Sequence, residues 1–323
     1  MTTVLVTGVG AVIGYGIVRA LKRSSRTVRV VGVDIYPDAV GQAWCDEFRP
    51  GVLAADPAFP AFLAAVIDEF AVDLVIPGIE QDLTRIASDY AVFAQMPTRF
   101  AINRPELVEI FNDKWRSHMY FATAGIARIP TFIQGSFGEV SAVTGLPMLL
   151  KPRRSYASKG ILRLHTEADF AYWQAKMGDD FMVQRIMGDA HSEFTVAVFG
   201  LGDGRFVNLI ALQRSLGSDG ATAKAQVVRD PAIDDYVTRL CAHAKPLGPT
   251  NIQLMRDGGE LYLLEVNPRV SSSTSIRSHF GVNEAEMCLE FYLDGQTPAP
   301  RQVTLGKVCR YLEDMVSHDR DPR

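Results

Sequence analysis

Residues 261–269 read Leu-Tyr-Leu-Leu-Glu-Val-Asn-Pro-Arg. Their apolar members predict a buried β-strand, and Glu265 and Asn267 leave the same face of it because they are two positions apart. Mg2+ prefers carboxylate and amide oxygens, and Gln253 on a preceding apolar stretch supplies a third such group. Arg269 continues the face toward an anion. The stretch therefore predicts a metal–phosphate site; the alternative is a strand end whose charged side chains face solvent.

The bulk composition is that of an ordinary globular protein. The chain has 323 residues, of which 47% are hydrophobic and 22% charged, and its formal net charge is -4. This length predicts roughly two domains or three lobes. Lysines and arginines are dispersed along the chain, which does not favour a nucleic-acid partner.

Cysteine usage and apolar run lengths bear on the compartment. The four cysteines lie far apart, without CxxC or Cys/His ligand spacing, and predict reduced thiols. The chain begins directly with an apolar strand pattern, and no run approaches the roughly 18 apolar residues of a membrane span. We expect a cytoplasmic protein with no membrane partner.

The N-terminal segment has the pattern strand, glycine turn, helix, strand. An apolar run over residues 3–7 precedes Gly8, Gly10 and Gly14, and a second run ends at Asp34. Glycines of this kind let a backbone approach a pyrophosphate, with Asp34 on a ribose hydroxyl. However, the spacing is GxGxxxG rather than GxGxxG, and a tight strand–helix turn needs the same residues. NAD(P) binding and a purely structural turn both remain open.

Later patterns divide the remainder of the chain. A helix over 60–70 and a strand over 74–77 continue the βα alternation, which predicts a first domain over residues 1–104. A helix over 105–124 opens a second lobe, in which strands 147–151 and 181–186 flank a helix over 167–177. From about 192 the chain is strand-rich up to Asn267 and helical over 283–292. The fold class is therefore α/β followed by α+β, with lobes 105–190 and 191–323.

Further residues have phosphate- or substrate-binding patterns. Lys151 ends an apolar strand directly before a loop containing serines and Gly160, a suitable position for a phosphate ligand. Residues 184–186 follow an apolar strand and offer backbone groups to an adenine edge. Glu80 lies at the carboxyl end of a sheet strand, where ligands collect in open α/β folds, although helix capping explains it equally well.

Taken in order, these elements resemble the ATP-grasp superfamily, particularly the branch similar to carbamoyl-phosphate synthase large subunits and PylC-like ligases. The resemblance spans nearly the whole chain. It implies the ATP-grasp fold with an N-terminal Rossmann-like preATP-grasp domain, followed by a small lobe and a C-terminal lobe that grip ATP between them.

The resemblance also implies roles for individual residues. Gln253, Glu265 and Asn267 would carry magnesium, and Arg269 would act at the transferred phosphoryl group or the acyl oxygen. Arg214 would act at the substrate or γ-phosphate, although a solvated hairpin arginine explains it equally well. Two further groups are candidates for substrate contact from their positions alone. They are Glu80, and Ser271 and Ser272, which follow Arg269 and would offer hydroxyls and backbone amides to a carboxylate or phosphate; a plain polar turn explains the serines as well. The nucleotide would be bound by Lys114, Lys151, Ser155, Ser158, Lys159, Gly160, Gln184, Arg185, Ile186 and Glu193.

The implied activity is an ATP-dependent carboxylate–amine ligase. It would form an amide or peptide bond through an acylphosphate, releasing ADP and phosphate, with Mg2+ or alternatively Mn2+ as the ion. Its partners would be a small-molecule carboxylate and an amine, and a homodimer is the commonest closed association. Two alternatives remain: a carbamoyl- or carboxyphosphate-forming enzyme of the same fold, and an NAD(P)-dependent oxidoreductase built on the glycine turn.

Overall fold

A computed structural model describes residues 1–155, 160–189, 191–217 and 220–316 of the chain, and this part contains three β-sheets. The first is parallel with strand order β3-β2-β1-β4-β5. Its region contains β1 (Thr2–Thr7), α1 (Val12–Lys22), β2 (Val28–Asp34), β3 (Glu47–Pro50), α2 (Phe59–Phe70), β4 (Leu74–Ile76), α3 (Glu80–Ser88), α4 (Tyr90–Phe93) and β5 (Arg99–Phe100). The expected mixture of α/β and α+β structure is confirmed by this sheet and the two antiparallel sheets that follow.

The second sheet is small and antiparallel, with strand order β6-β9-β7-β8. The elements from its connecting helices to its last strand are α5 (Pro105–Phe111), α6 (Lys114–Tyr120), β6 (Thr131–Phe132), α7 (Phe137–Thr144), β7 (Met148–Leu150), β8 (Leu162–Leu164), α8 (Glu167–Met177) and β9 (Val183–Gln184). The sheet has its own apolar core, which includes Met148, Phe170 and Phe181. It therefore packs as a compact layer of its own.

The third sheet is antiparallel with strand order β14-β13-β10-β11-β12-β15. Its elements are β10 (Glu193–Leu201), β11 (Phe206–Leu216), β12 (Thr222–Val228), α9 (Pro231–Ala244), β13 (Leu247–Asp257), β14 (Glu260–Asn267), α10 (Thr274–Arg277), α11 (Glu284–Cys288) and β15 (Lys307–Cys309). One apolar core joins α1 to this region, since Val18 and Leu21 cluster with Met287 and Leu289. This packing fixes the first sheet against the third.

The helix predicted over 105–124 is wrong as a single element. The structure has α5 and α6 there, separated at Asn112 and Asp113. Asp113 has extended backbone angles, and its carboxylate accepts hydrogen bonds from the backbone N–H groups of Trp115 and Arg116. An N-cap of this kind starts a new helix, because it binds N–H groups that otherwise have no partner in the first turn.

The glycine turn after β1 is closed by backbone packing. A Cβ on Gly14 would lie 2.0 Å from the carbonyl oxygen of Gly8, and one on Gly78 would lie 2.1 Å from that of Thr7. Asp34 accepts hydrogen bonds from the backbone N–H groups of Gly10 (2.7 Å) and Tyr36 (3.0 Å). The turn therefore uses Asp34 internally, which favours a structural role for these glycines over NAD(P) binding.

We predict that Gly14→Ala destabilises the protein by about 1–3 kcal/mol or more, because the added methyl group forces α1 away from the end of β1. The free energy of unfolding in urea measures this effect. Gly138→Ala is the matched control, since Gly138 lies in α7 with no heavy atom within 4 Å of the added Cβ. That change should leave stability equal or raise it by about 0.5–1 kcal/mol. Equal unfolding curves for Gly14→Ala and the unsubstituted protein would contradict the packing argument.

Candidate functional site

A cavity of about 250 Å3 lies between the second and third sheets. Its wall contains residues from β7, β9, β10, β11, β13 and β14, so the cavity forms only where the two sheets pack against each other. The residues of this wall that the sequence analysis had selected are Lys114, Lys151, Ser155, Gln184, Arg185, Ile186, Glu193, Arg214, Gln253 and Glu265.

One part of the cavity wall is apolar. Apart from Ile186, its residues were not singled out from the sequence, because their side chains look like ordinary core residues in their own strands. Two hydrogen bonds hold the end of β9, which contributes to this wall, against the segment at β6. Arg185 donates its backbone N–H to the carbonyl of Pro130 (3.0 Å), and the Gln184 amide donates to the Thr131 hydroxyl (2.9 Å). The apolar side chains are Ile129, Leu149, Ile161, Ile186, Met187, Met255 and Leu264.

Another part of the wall carries charge. Lys151 Nζ lies 3.8 Å from Glu265 Oε2, and Lys114 Nζ donates hydrogen bonds to the carbonyl oxygen (2.5 Å) and hydroxyl (3.2 Å) of Ser155. Burial lowers the pKa of Lys114 despite the neighbouring carboxylate of Glu265. Burial acts to raise the pKa of Glu265, but the charges of Lys151 and Lys114 outweigh it, and the pKa lies below its ordinary value. Glu265 is therefore a carboxylate beside two lysines.

The end of β14 presents Glu265 through a β-bulge. Gln253 pairs with Glu265 but Leu254 pairs with Leu263, so Leu264 is the extra residue. Consequently both Leu264 and Glu265 line the cavity, although neighbouring residues of a regular strand face opposite sides. The sequence pattern did not reveal the bulge, and it predicted Leu264 as one of the buried apolar residues of the strand.

A chain of hydrogen bonds continues from Glu265 toward the first sheet. The Asn267 amide donates to Glu265 Oε1 (2.8 Å), Arg269 Nη2 donates to Asn267 Oδ1 (3.1 Å), and Arg269 Nε donates to Glu80 Oε2 (2.5 Å). Glu80 is the first residue of α3. The contact therefore links the third sheet to the first through charge-assisted hydrogen bonds.

The donor set at Glu265 suits a hard cation. Glu265, Asn267 and Gln253 offer carboxylate and amide oxygens, and Gln253 is the cross-strand partner of Glu265. Over the described ranges, no group of three His, Cys, Asp or Glu side chains is arranged to hold a metal ion. A magnesium ion at this site would therefore have one protein carboxylate, and the phosphates of a bound ligand would have to supply most of the negative charge.

A second cavity, of about 450 Å3, lies between α3 and the end of β14. Glu80, Asn267 and Arg269 line it, together with Arg154 and a polar face of α3 that the sequence analysis missed. The two cavities share Lys114, Ser155 and Glu265. Each is lined by four cationic side chains and two carboxylates, which favours anionic ligands in both.

Hydrogen bonds and an ion pair join the segment that carries Lys114 to the segment that follows Lys151. Arg153 donates to the Asp113 carboxylate through Nη2 (2.6 Å) and Nε (3.2 Å), and the backbone N–H of Lys114 donates to the Arg153 carbonyl (3.0 Å). Burial acts to raise the pKa of Asp113. Hydrogen bonds from Arg153 and from the backbone N–H groups of α6 act in the opposite direction and outweigh burial, so the pKa lies below its ordinary value. The start of α6 and the segment after β7 therefore hold Lys114 and Lys151 in fixed relation.

Arg214 and Glu193 form a buried ion pair at the cavity wall. Arg214 Nε and Nη2 donate to Glu193 Oε1 at 3.0 and 2.5 Å, and Arg214 Nη1 donates to the Thr222 hydroxyl (3.3 Å). Arg214 is only 6% exposed. The alternative interpretation of Arg214 as a solvated hairpin arginine is therefore wrong.

The remaining candidates lie elsewhere. The Ser271 hydroxyl accepts a hydrogen bond from the buried Arg277 (2.8 Å), and the carbonyl oxygen of Ser272 accepts one from Arg310. Among the described residues, neither serine is part of the wall of the two cavities, nor is Gly160, which has a positive φ of 77°. Ser158 and Lys159 lie outside the described residues. A substrate role for the two serines remains a prediction.

No helix within the described part of the chain is long and apolar enough to cross a membrane. No sequence among the curated proteins matches the chain.

Solved structures with a similar fold cover most of the chain. N5-carboxyaminoimidazole synthetase from Staphylococcus aureus, complexed with ADP, is 15% identical, with a TM-score of 0.72 over 94% of this chain and 80% of that one. Biotin carboxylase from Campylobacter jejuni, in complex with β-γ-ATP, is 15% identical, with a TM-score of 0.73 over 95% and 74%. The biotin carboxylase domain of a 2-oxoglutarate carboxylase from Hydrogenobacter thermophilus is 16% identical, with a TM-score of 0.71 over 96% and 74%; that dimer holds MgADP, ADP and bicarbonate.

A protein-family model also matches the chain. It is described as an ATP-grasp in the biosynthetic pathway with Ter operon, and it covers residues 178–315. This range includes the predicted metal residues, Arg214 and Arg269. The sheet architecture agrees with the solved structures over the rest of the chain. The fold expected from the sequence is thus confirmed, and residues 178–315 match the ATP-grasp family model.

Proposed function

We propose that this enzyme is an ATP- and magnesium-dependent carboxylate–amine ligase that forms an amide or peptide bond through an acylphosphate. The observation that carries the proposal is the meeting of two cavities at Lys114, Ser155 and Glu265. A phosphoryl group at the end of one cavity can reach an acceptor in the other without crossing solvent. The two cationic cavities suit a polyphosphate and a carboxylate respectively.

The first cavity has the features that a nucleotide needs. Its apolar wall suits a base. Lys114 and Lys151 belong to the charged part of the wall, where they would contact the terminal phosphates. Phosphoryl transfer depends mainly on positioning and on neutralising charge at the moving group, and two lysines beside the junction serve both purposes. Solved structures of similar fold hold ADP, which supports ATP as the nucleotide.

Magnesium would be held by Glu265 and Asn267 with help from Gln253, and when bound it would neutralise negative charge on the phosphates. Mn2+ accepts the same oxygen ligands. Lys151 approaches Glu265 and the Asn267 amide donates to it, so these contacts orient the carboxylate toward the junction.

The second cavity would hold the acceptor carboxylate near Arg269, whose guanidinium is oriented by Glu80 and Asn267. A carboxylate oxygen attacks the γ-phosphorus of ATP, and the bond to ADP breaks. The amine then attacks the acyl carbon of the acylphosphate, inorganic phosphate leaves, and the amine nitrogen loses a proton. Arg269 would stabilise the oxyanion of the tetrahedral intermediate, which is the role of a preorganised cationic donor.

Bicarbonate is the second candidate acceptor, and the reaction would then pass through carboxyphosphate. The biotin carboxylase domain from Hydrogenobacter thermophilus was solved in complex with bicarbonate and MgADP, and it has a similar fold. A homodimer is the proposed association state, as in that carboxylase domain.

The experiment that tests the proposal measures release of ADP and phosphate from MgATP across small carboxylates, each with and without an amine, and with bicarbonate alone. Stimulation that requires both an acid and an amine is the expected result. Stimulation by bicarbonate alone would replace the ligase with the carboxyphosphate reaction. Release that neither class of acceptor stimulates would contradict both.

We predict that Glu265→Gln lowers stimulated phosphate release at least about 100-fold, because it removes the one carboxylate of the proposed metal site while keeping the side-chain shape. Glu260→Gln is the control, since Glu260 is exposed at the other end of the same strand. The circular-dichroism spectra of both variants should match that of the unsubstituted protein, which shows that the fold is intact. Turnover of Glu265→Gln at the level of the control would rule out the metal assignment.

Lys151→Met should raise the apparent KM for ATP about tenfold or more, because an ammonium group that contacts phosphate contributes a charge-assisted hydrogen bond. The initial rate as a function of ATP concentration measures this. Lys176→Met, at an exposed position of α8, changes the net charge equally and should leave KM unchanged. An unaltered ATP dependence for Lys151→Met would show that the lysine does not contact the nucleotide.

A further inference from the structure

The wall of the second cavity contains more cations than carboxylates. Some of these charges are paired within the protein, and those that are not paired show what kind of ligand the cavity suits. The charged residues of the wall are Arg85, Lys114, Arg154, Arg269, Glu80 and Glu265.

Two of the arginines have close carboxylate partners. Arg269 Nε donates to Glu80 Oε2 (2.5 Å), and Arg85 Nε donates to Asp89 Oδ2 (2.5 Å). Arg85 Nη1 also donates to the carbonyl oxygen of Ala54 (3.0 Å). Each of these two pairs is neutral as a unit, so neither leaves a net charge for a ligand to neutralise.

One positive charge is in excess at the junction of the two cavities. Lys114 and Lys151 share a single carboxylate, that of Glu265. In the proposed reaction this charge faces the terminal phosphate and the carboxylate that is phosphorylated. It is therefore used by the reacting groups themselves.

A second positive charge is in excess at Arg154. Asp113 Oδ2 lies 2.6 Å from Arg153 Nη2 but 3.4 Å from Arg154 Nη2, so Arg153 forms the closer pair. Within the described ranges Arg154 has no other ion pair or hydrogen bond, and its side chain is 63% exposed. One carboxylate does not neutralise two guanidinium groups, which leaves Arg154 available to an anion.

Arg154 lies away from the junction. It lines the second cavity but not the first, whereas Lys114, Ser155 and Glu265 line both. The second cavity has a volume of about 450 Å3, and cavities of about 300–1,000 Å3 commonly enclose small ligands. A single carboxylate would fill only a small part of it. An acceptor acid thus has room to extend from the junction to Arg154.

Uncharged polar groups complete the wall of the second cavity. Gln81 and Thr84 are three residues apart on one face of α3, and Asn112 immediately precedes Asp113. In the described part of the chain their side chains have no hydrogen-bond partner. Amide and hydroxyl groups at a cavity wall favour a polar ligand, because an apolar one would leave them unpaired.

We propose that the acceptor is a small polar acid with a second anionic group, a carboxylate or a phosphate, and that Arg154 binds this group. The carboxylate that reacts then lies near Arg269, and the second anion holds the other end of the molecule. Arg154 determines specificity and takes no part in the phosphoryl transfer. This inference rests on the proposed function, because it names the class of acid that the ligase uses.

The affinities of matched acids test the inference. The probes are glutarate against valerate, and 3-phosphoglycerate against glycerate, each titrated by calorimetry into the protein with MgADP present. In at least one pair the acid with the second anionic group should bind about tenfold more tightly, the contribution of a hydrogen bond to a charged group. The pair with the larger difference shows whether the second group is a carboxylate or a phosphate.

Substitutions then assign the preference to Arg154. Arg154→Gln should remove the difference within each pair and leave Kd for ADP unchanged. Arg154→Lys keeps the charge without the planar pair of donors, so it should keep part of the difference. Arg163→Gln removes an exposed arginine of β8 and should keep all of it. Circular-dichroism spectra equal to that of the unsubstituted protein would show that each variant is folded.

Three results would overturn the inference. The first is equal affinity within both pairs of acids. The second is a preference that survives Arg154→Gln, which would place the second anion at another residue. The third is weaker ADP binding by Arg154→Gln, which would assign the arginine to the nucleotide instead.

The release of phosphate from MgATP judges the ligase separately. Equal stimulation by the two members of each pair, in the presence of an amine, would refute the inference and leave the ligase standing. Release that no acid stimulates would contradict the ligase, and the inference would fall with it.

Discussion

The structure depends on a carboxylate held between two ammonium groups at the junction of two cavities. Glu265 is half-buried, and burial alone would favour its neutral form; Lys151 and Lys114 keep it ionised. The lysines in turn need a negative charge, because burial lowers the pKa of Lys114. Charges in such a place are stable only when paired. The carboxylate is thus paired within the protein, and the two lysines leave the junction net cationic, which favours an anion.

Each member of this junction comes from a different packing unit. Lys151 ends a strand of the small sheet, Lys114 opens a helix that follows the first sheet's region, and Glu265 lies on the edge strand of the third sheet. Two contacts hold the units in register: Asp113 with Arg153, and Glu80 with Arg269. Both are shielded ion pairs with hydrogen bonds, which have more defined geometry than exposed pairs. The scaffold therefore fixes the distances on which the proposed chemistry depends.

The N-terminal glycines show how one pattern serves two physical purposes. A dinucleotide site and a tight strand–helix contact both demand glycine, and the sequence left the two interpretations open. In the structure a side chain at Gly14 or Gly78 would overlap backbone atoms, and Asp34 binds the turn itself. The region contributes to the candidate site through α3, by way of Glu80 and its neighbours.

The sequence by itself determined the order of elements, the fold and the first cavity's charged residues. Local patterns sufficed for this, because strand alternation and lysines at strand ends depend on neighbouring residues. It did not determine the helix break at Asp113, the bulge at Leu264, the pairing of Arg214 with Glu193, or the polar face of α3 in the second cavity. The break at Asp113 is a local N-cap, which an aspartate within an otherwise helical pattern does not by itself reveal. The other three depend on residues distant in sequence or on register, which a one-residue bulge shifts without any change in composition. Only the tertiary structure brings Lys114, Lys151 and Glu265 together, because they belong to separately packed layers.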